Sequence, residues 1–171
     1  MATDPAGEYS LPLHYLRETL AASSSFQTWI GTTGTSAEKL AAARLRIHYY
    51  GTESATRPFA VVSFAESFSR YMISGGARHF FATSSNPIRL TFDADIAVAD
   101  VDALSEALFK FTNQIGAIFT NMEALAGTAG YLAFTEYTID NPTRCKIDQR
   151  EANDSAMDIW QIDTTVTVEE D

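Results

Sequence analysis

A single cysteine in a chain of 171 residues rules out an intrachain disulfide, and Cys145 with three histidines offers no ligand spacing for a structural zinc. Basic side chains are scarce. There are 12 Lys and Arg against 22 Asp and Glu, a net charge of −10, and phosphate binding depends on clustered cations, so a nucleic-acid groove is not expected. No apolar run approaches the roughly 20 residues that span a bilayer. The opening MATDPAGEYS has neither the basic start nor the apolar core of a secretory signal, so synthesis and retention in the cytosol are the expectation.

What the chain does have is apolar material, 46% of its residues, enough for one well-buried core at this length. Its charge is unevenly spread. Residues 1–89 carry eight basic and six acidic side chains, whereas residues 90–171 carry four basic and sixteen acidic ones. Much of this is ordinary solvated surface, but opposite-sign patches that meet between copies of the chain would steer association and fix register.

The clearest element is a helix from Asp100 to Ala126. Val101, Leu104, Leu108, Phe111, Ile115, Ile118, Met122 and Leu125 step by threes and fours, the spacing that lines one helix face. Asp100 can cap its free N–H groups, Asp102 adds favourable charge there, and Gly127 and Gly130 end it. The repeat is too short for a sustained coiled coil, so the face should pack on a sheet. Phe109 falls well over a quarter-turn from the stripe, on the side of Glu106 and Asn113.

Residues 1–9 show no periodicity and read as a disordered arm, leaving residues 10–171 as one α+β domain. A first helix starts near Ser10, tolerates Pro12 in its first turn and buries Leu13, Leu16 and Leu20. Ser23 to Ser25 close it, and Phe26, Trp29 and Ile30 plug the end of the core. GTTGTS lacks the Gly-Lys-Ser/Thr ending of a phosphate loop and is better read as leading to a helix capped by Thr35 and Glu38. That helix runs to Arg44, after which Leu45, Ile47 and Tyr49 alternate with Arg46, His48 and Tyr50 as extended chain.

FAVVSFA after Pro58 suits a strand buried on both faces. A further strand at Phe68 to Ile73 and a glycine pair followed by Arg78, His79, Phe80 and Phe81 read as a hairpin or loop, either protruding or packed down. Ile88 to Ile96 alternates cleanly, with Arg89, Thr91, Asp93 and Asp95 on a solvated face. Tyr131 to Ile139 reads as a strand, Asp140 to Asp158 as a long polar loop carrying Arg144, Lys146 and Arg150, and Trp160 to Glu169 as the last strand. Its inward residues are Trp160, Ile162, Thr164, Val166 and Val168. The sum is a mainly antiparallel or mixed sheet of four to five strands, with the long helix and the N-terminal helix on one face.

No active site emerges. His14, His48 and His79 fall in different elements, without a nucleophile elbow or metal spacing. Asp93 and Asp95 point the same way and could face a hard cation, and with Glu136 they are the set a metal-dependent hydrolase would use; alternating acids on a wet strand need no metal. No catalytic, cofactor-binding or metal residue is assigned, and a monomeric ligand-binding domain is the other competing class.

An LRETLAAS helix, RPFAVVSF as a central strand, an RLTFDADI strand, an acid-capped long helix and a final DIWQIDTTVTVEE strand together resemble the tail terminator proteins of long-tailed bacteriophages. The resemblance covers about residues 10–169. It implies a virion protein, assembled in the host cytoplasm as a homo-hexameric ring. The ring would cap the tail tube protein, stop polymerisation and join a head connector or neck protein. No enzyme activity or cofactor is implied, and DNA would pass through the lumen without specific binding. The Ser23 to Gly51 region and the 66–87 excursion depart from the pattern, which keeps another neck or head-completion protein open. Phe109, Arg78, His79, Phe80, Phe81, Arg144, Lys146 and Arg150 are the expected interface residues. Phe109 and the charge asymmetry suit a contact in which one patch meets a different patch on the next subunit.

Overall fold

The computed structural model describes residues 11–49, 56–64, 88–97, 100–126, 128, 131, 134–148 and 157–168. The elements follow in the order α1 (Leu11–Ala22), α2 (Ser24–Trp29), α3 (Ser36–Leu45), β1 (Ile47–Tyr49), β2 (Phe59–Phe64), β3 (Ile88–Ala97), α4 (Val101–Leu125), β4 (Phe134–Ile139), β5 (Thr143–Asp148) and β6 (Met157–Val168). The arm at 1–9 and the 66–86 segment, with its glycine pair, lie outside the described residues.

The strands form one mixed sheet in the order β1-β2-β3-β6-β4, with β5 also paired to β6; only β1 and β2 run parallel. β4 and β5 lie in line along the same edge of β6. β4 pairs with Thr164 to Val168 and β5 with Met157 to Gln161. Between them the Asp140 N–H donates to the Asp163 carbonyl at 2.9 Å, and Pro142, which has no N–H, interrupts the ladder. The polar loop expected from Asp140 to Asp158 is therefore wrong in its first part: Thr143–Asp148 is an edge strand, and β6 begins at Met157 instead of Trp160. Pairing with a long neighbour outweighs the charged composition of TRCKID, which hides its strand character. The strand expected from Tyr131 starts at Phe134.

Helices cover one face. Ile47, Ala60, Val62, Ile88, Leu90, Phe92, Ile162 and Val166 are buried there with Leu16, Leu20 and Phe26 of α1 and α2. The Asp100 Oδ1 accepts from the Ala103 N–H at 2.7 Å, capping α4 as its sequence indicates. The stripe on α4 is fully buried only from Phe111 onward, at Phe111, Ile115, Ile118 and Met122, together with Phe119, which the stripe omitted. Phe119 stacks on Tyr137 at 4.4 Å and meets Phe92 edge-on at 6.3 Å. α2 packs against this half: Trp29 stacks on Phe111 at 6.0 Å and the Ser24 N–H donates to Asn121 Oδ1 at 2.6 Å. Leu104 and Leu108 are half-buried, and Val101 is 78% exposed.

α3 opens on the expected capping box, with Thr35 Oγ1 accepting from the Glu38 N–H and Glu38 Oε2 accepting from the Thr35 N–H at 2.8 Å. The Thr35 N–H and the Thr35 hydroxyl, both donating to Glu38 Oε2, hold the Glu38 carboxyl below its ordinary value. Gly34 allows this. Its φ is +104°, and a Cβ there would meet Glu38 Oε2 at 2.6 Å. At the other end, buried Arg17 donates to the Arg44 carbonyl at 3.1 Å and lies over the Tyr49 ring, tying α1 to the α3–β1 junction. Leu45 stays in the helix and does not join the strand, which leaves it 69% exposed.

Ile118→Asp places an unpaired charge in the core and is expected to abolish soluble folding, at a cost of about 4 kcal/mol or more. Val101→Asp, in the exposed first turn where negative charge is favourable, is expected to leave the melting temperature within a few degrees of wild type. Soluble yield and thermal melting of the two variants check this; equal behaviour would take Ile118 out of the core.

Candidate functional site

The second face of the sheet is less wet than the alternation on β3 suggests. Phe59, Val61, Thr91 and Ile159 are all buried on it, and Asp93 and Asp95 are half-buried. The register explains the crowding: Phe59, Asp93 and Gln161 lie side by side across three strands, as do Val61, Thr91 and Asp163. Thr91 Oγ1 donates to Asp163 Oδ1 at 2.6 Å, Gln161 Nε2 reaches the same oxygen at 3.4 Å, and the Cys145 thiol donates to Gln161 Oε1 at 2.8 Å. Arg57 supplies the counter-charge, with Nε 3.6 Å from Asp95 Oδ1 and its guanidinium over the Phe59 ring.

Burial pushes the Asp93 carboxyl up to about 6; Arg57 opposes this, and the charges of Asp163 and Asp95 add to it. Burial, then Asp93 and Asp163, push the Cys145 thiol up as well, which favours the thiol over the nucleophilic thiolate. The cluster can therefore hold a proton near neutrality, but it does not activate its sulfur. His48, on β1, has its pKa lowered by burial and by the charges of Arg17 and Arg46, and its ring meets Phe59 edge-on at 5.4 Å.

Glu136 is not brought to Asp93 and Asp95. It pairs with Thr167, whereas Asp93 pairs with Gln161, and six residues of β6 separate them by about 20 Å. Among the described residues no group of three or more His, Cys, Asp or Glu is placed to hold a metal ion. A shallow, open pocket of about 240 Å³ lies away from the carboxylates, between α2 and α4, lined by Ser24, Ser25, Thr28, Trp29, Gln114 and Ala117. Among the described residues no helix is long and apolar enough to cross a membrane.

The expected interface residues are scattered. Phe109 is 71% exposed on α4, beside exposed Glu106 and Asn113, as the helical angle requires. Arg144 is exposed on β5, where it pairs with Trp160, and Lys146 follows a bulge in the same strand, paired with Ile159. Both are edge-strand positions, not loop positions. Arg78, His79, Phe80, Phe81 and Arg150 lie outside the described residues. The sequence reading passed over Leu45, because its alternation with Ile47 assigned it to the strand. The sign it carried was an apolar residue set between Arg44 and Arg46.

The sign of the Asp93 effect follows from linkage. A folded state that holds a carboxyl proton up to about pH 6, against about 4 in the unfolded chain, binds more protons across that window, so stability falls as pH rises from about 4 to about 6. Asp93→Asn lacks this titration. The variant is expected to melt higher than wild type at pH 7.5, with the difference shrinking as pH is lowered toward 4. Thermal melts of both proteins across that range check it, and a difference independent of pH would make Asp93 an ordinary surface carboxylate.

No protein-family model matches the chain, and no curated protein is similar to it at a significant level.

Proposed function

We propose that the protein is a structural component of a phage virion, a tail terminator that forms a ring, most simply a hexamer, on the end of the tail tube. The observation that carries this reading is a stiff scaffold with an apolar side chain presented to solvent: Phe109 is 71% exposed on a 25-residue helix that is packed into the core from Phe111 onward. An exposed aromatic on a rigid element is the usual anchor of a protein contact. The element order supports the resemblance, since a helix, a central strand, an alternating strand, an acid-capped helix and a long final strand follow one another along the chain. The carboxylate face has a protonatable group and an unactivated thiol, a poor basis for catalysis.

A tube built from stacked rings exposes at its end the surface that binds the next ring. A terminator has to match that surface on one rim and fail to reproduce it on the other, which takes shape and charge complementarity and no bond-making. Its partners in this reading are other copies of itself, the tail tube protein and a head connector or neck protein. Acidic elements turned toward a lumen would repel DNA and let it pass unbound.

Purified protein added to polymerising cognate tube subunits is expected to shorten the tubes at substoichiometric amounts, equally with and without nucleotide or divalent metal. Tube lengths measured by electron microscopy decide it. Unchanged lengths would favour another neck or head-completion role, and a requirement for metal or nucleotide would favour an enzyme.

A further inference from the structure

Among the described residues the exposed large apolar side chains are Tyr15, Leu45, Val101 and Phe109. Tyr15, on α1, is the least exposed at 38%, and the other three fall on two sides of the molecule. Leu45 ends α3 and sits at the entry to β1, the strand at one edge of the sheet. Val101 and Phe109 lie on α4. Phe109 is about 80° round the helix from Phe119, which stacks on Tyr137 of β4, and is therefore turned toward the opposite edge. Leu45 is 69% exposed and Phe109 71%, so the two sites do not cover each other within one chain.

The surroundings of the two sites are opposite in charge. Described residues 11–64, which build the β1 side, hold five basic and two acidic side chains; described residues 100–168, which build the β4–β6 side, hold three basic and nine acidic ones. Leu45 is flanked by Arg44 and Arg46. Arg44 is engaged by Glu18, but Arg46 donates to the carbonyls of Thr56 and Pro58, and neither cancels its charge. Val101 and Phe109 are accompanied on α4 by the exposed acids Asp102 and Glu106, with Lys110 as the one exposed base of this stretch.

We infer that the Leu45–Arg46 corner of one copy docks on the Val101–Phe109 flank of α4 in the next copy, with Arg46 facing Asp102 and Glu106. The occupant of each apolar site is a second copy of this chain because each site has, elsewhere on the same chain, a counterpart of matching hydrophobicity and opposite charge. Two different patches make the contact head-to-tail. An open chain of subunits then keeps one free patch of each kind, at its two ends, until a ring closes. This deepens the ring reading and rests on it for closure, while the pairing stands on the charges and exposures alone. Like charges brought together by the alternative contact, α4 flank on α4 flank, would oppose that arrangement.

The test uses Leu45→Glu and Phe109→Glu in the full chain. Both positions are exposed, so circular dichroism and melting are expected to match wild type. Self-association of each variant, read by light scattering on a sizing column, is expected to weaken at least tenfold. An equimolar mixture is expected to give a species of twice the monomer mass that grows no further, because one good patch remains on each partner and the two are complementary. Either folded variant assembling as wild type does, or a mixture that stays monomeric, overturns the pairing while leaving rings seen with wild type intact. Wild-type protein that is monomeric at every concentration and on tubes overturns the ring reading and the pairing together.

Discussion

The contact on which the rest of the structure depends is the aromatic stack that fastens α4 to the sheet. Phe92, at the centre of β3, receives Phe119 edge-on from α4 and Trp29 edge-on from α2 at 5.7 Å, while Phe119 stacks on Tyr137 of β4 and Trp29 stacks on Phe111. Two helices and two strands are joined through five rings, each contact adding on the order of 1 kcal/mol beyond area burial. Because these rings meet α4 from Phe111 onward, the fully buried residues of the helix lie there, while before Phe111 Leu104 and Leu108 pack half-buried against the core and Val101 and Phe109 face solvent. An anchored helix with an uncovered end is a consequence of where the aromatics fall.

β6 organises the other layer. It is paired on both sides, with β3 along one edge and β4 followed by β5 along the other, so it bonds one strand that precedes α4 and two that follow it. The outer edge it supports is not a smooth template. Register shifts occur between Phe134 and Glu136 and between Arg144 and Lys146, and Pro142 stands between the two strands. Bulges, proline and charge are the features that discourage a sheet edge from pairing with another sheet. An edge of this kind disfavours extension of the sheet from one copy to the next, which agrees with the side-chain contact proposed for the α4 flank.

Much of the fold was legible because the signals were local. The Asp100 cap, the Thr35–Glu38 capping box and the period of α4 each depend on residues within a few positions of one another, and each appears where the sequence places it. The doubly buried β2 was legible too, since a continuous apolar run has few other uses. β5 was not, because TRCKID reads as polar chain and becomes a strand only through its pairing with β6. The half-buried state of Asp93 was equally hidden: alternation assigns a residue to a face, while the density of that face depends on Phe59 and Gln161 arriving from distant strands. Of the candidate interface residues, Phe109 could be found by helical angle alone. Leu45 could not, because whether it ends a helix or begins a strand decides which way it points.

Rigidity and charge separation bear on each other. The basic elements α1 to β2 and the acidic elements α4 to β6 flank the central strand β3, so the asymmetry visible along the sequence becomes an asymmetry across the sheet. A head-to-tail assembly closes into a ring only if the rotation from one subunit to the next is the same at every step, and that rotation is set by the angle between the two docking surfaces of a single subunit. In the proposed pairing that angle would be held at one end by Arg17, buried between α1 and the α3–β1 junction, and at the other by the ring stack under α4, with a hydrogen-bonded sheet between. Loosening either end would leave the patches intact but let the angle vary, and copies would then join without a defined number. The buried arginine at one end and the five packed rings at the other would thus serve the proposed ring closure through the same contacts that hold the fold together.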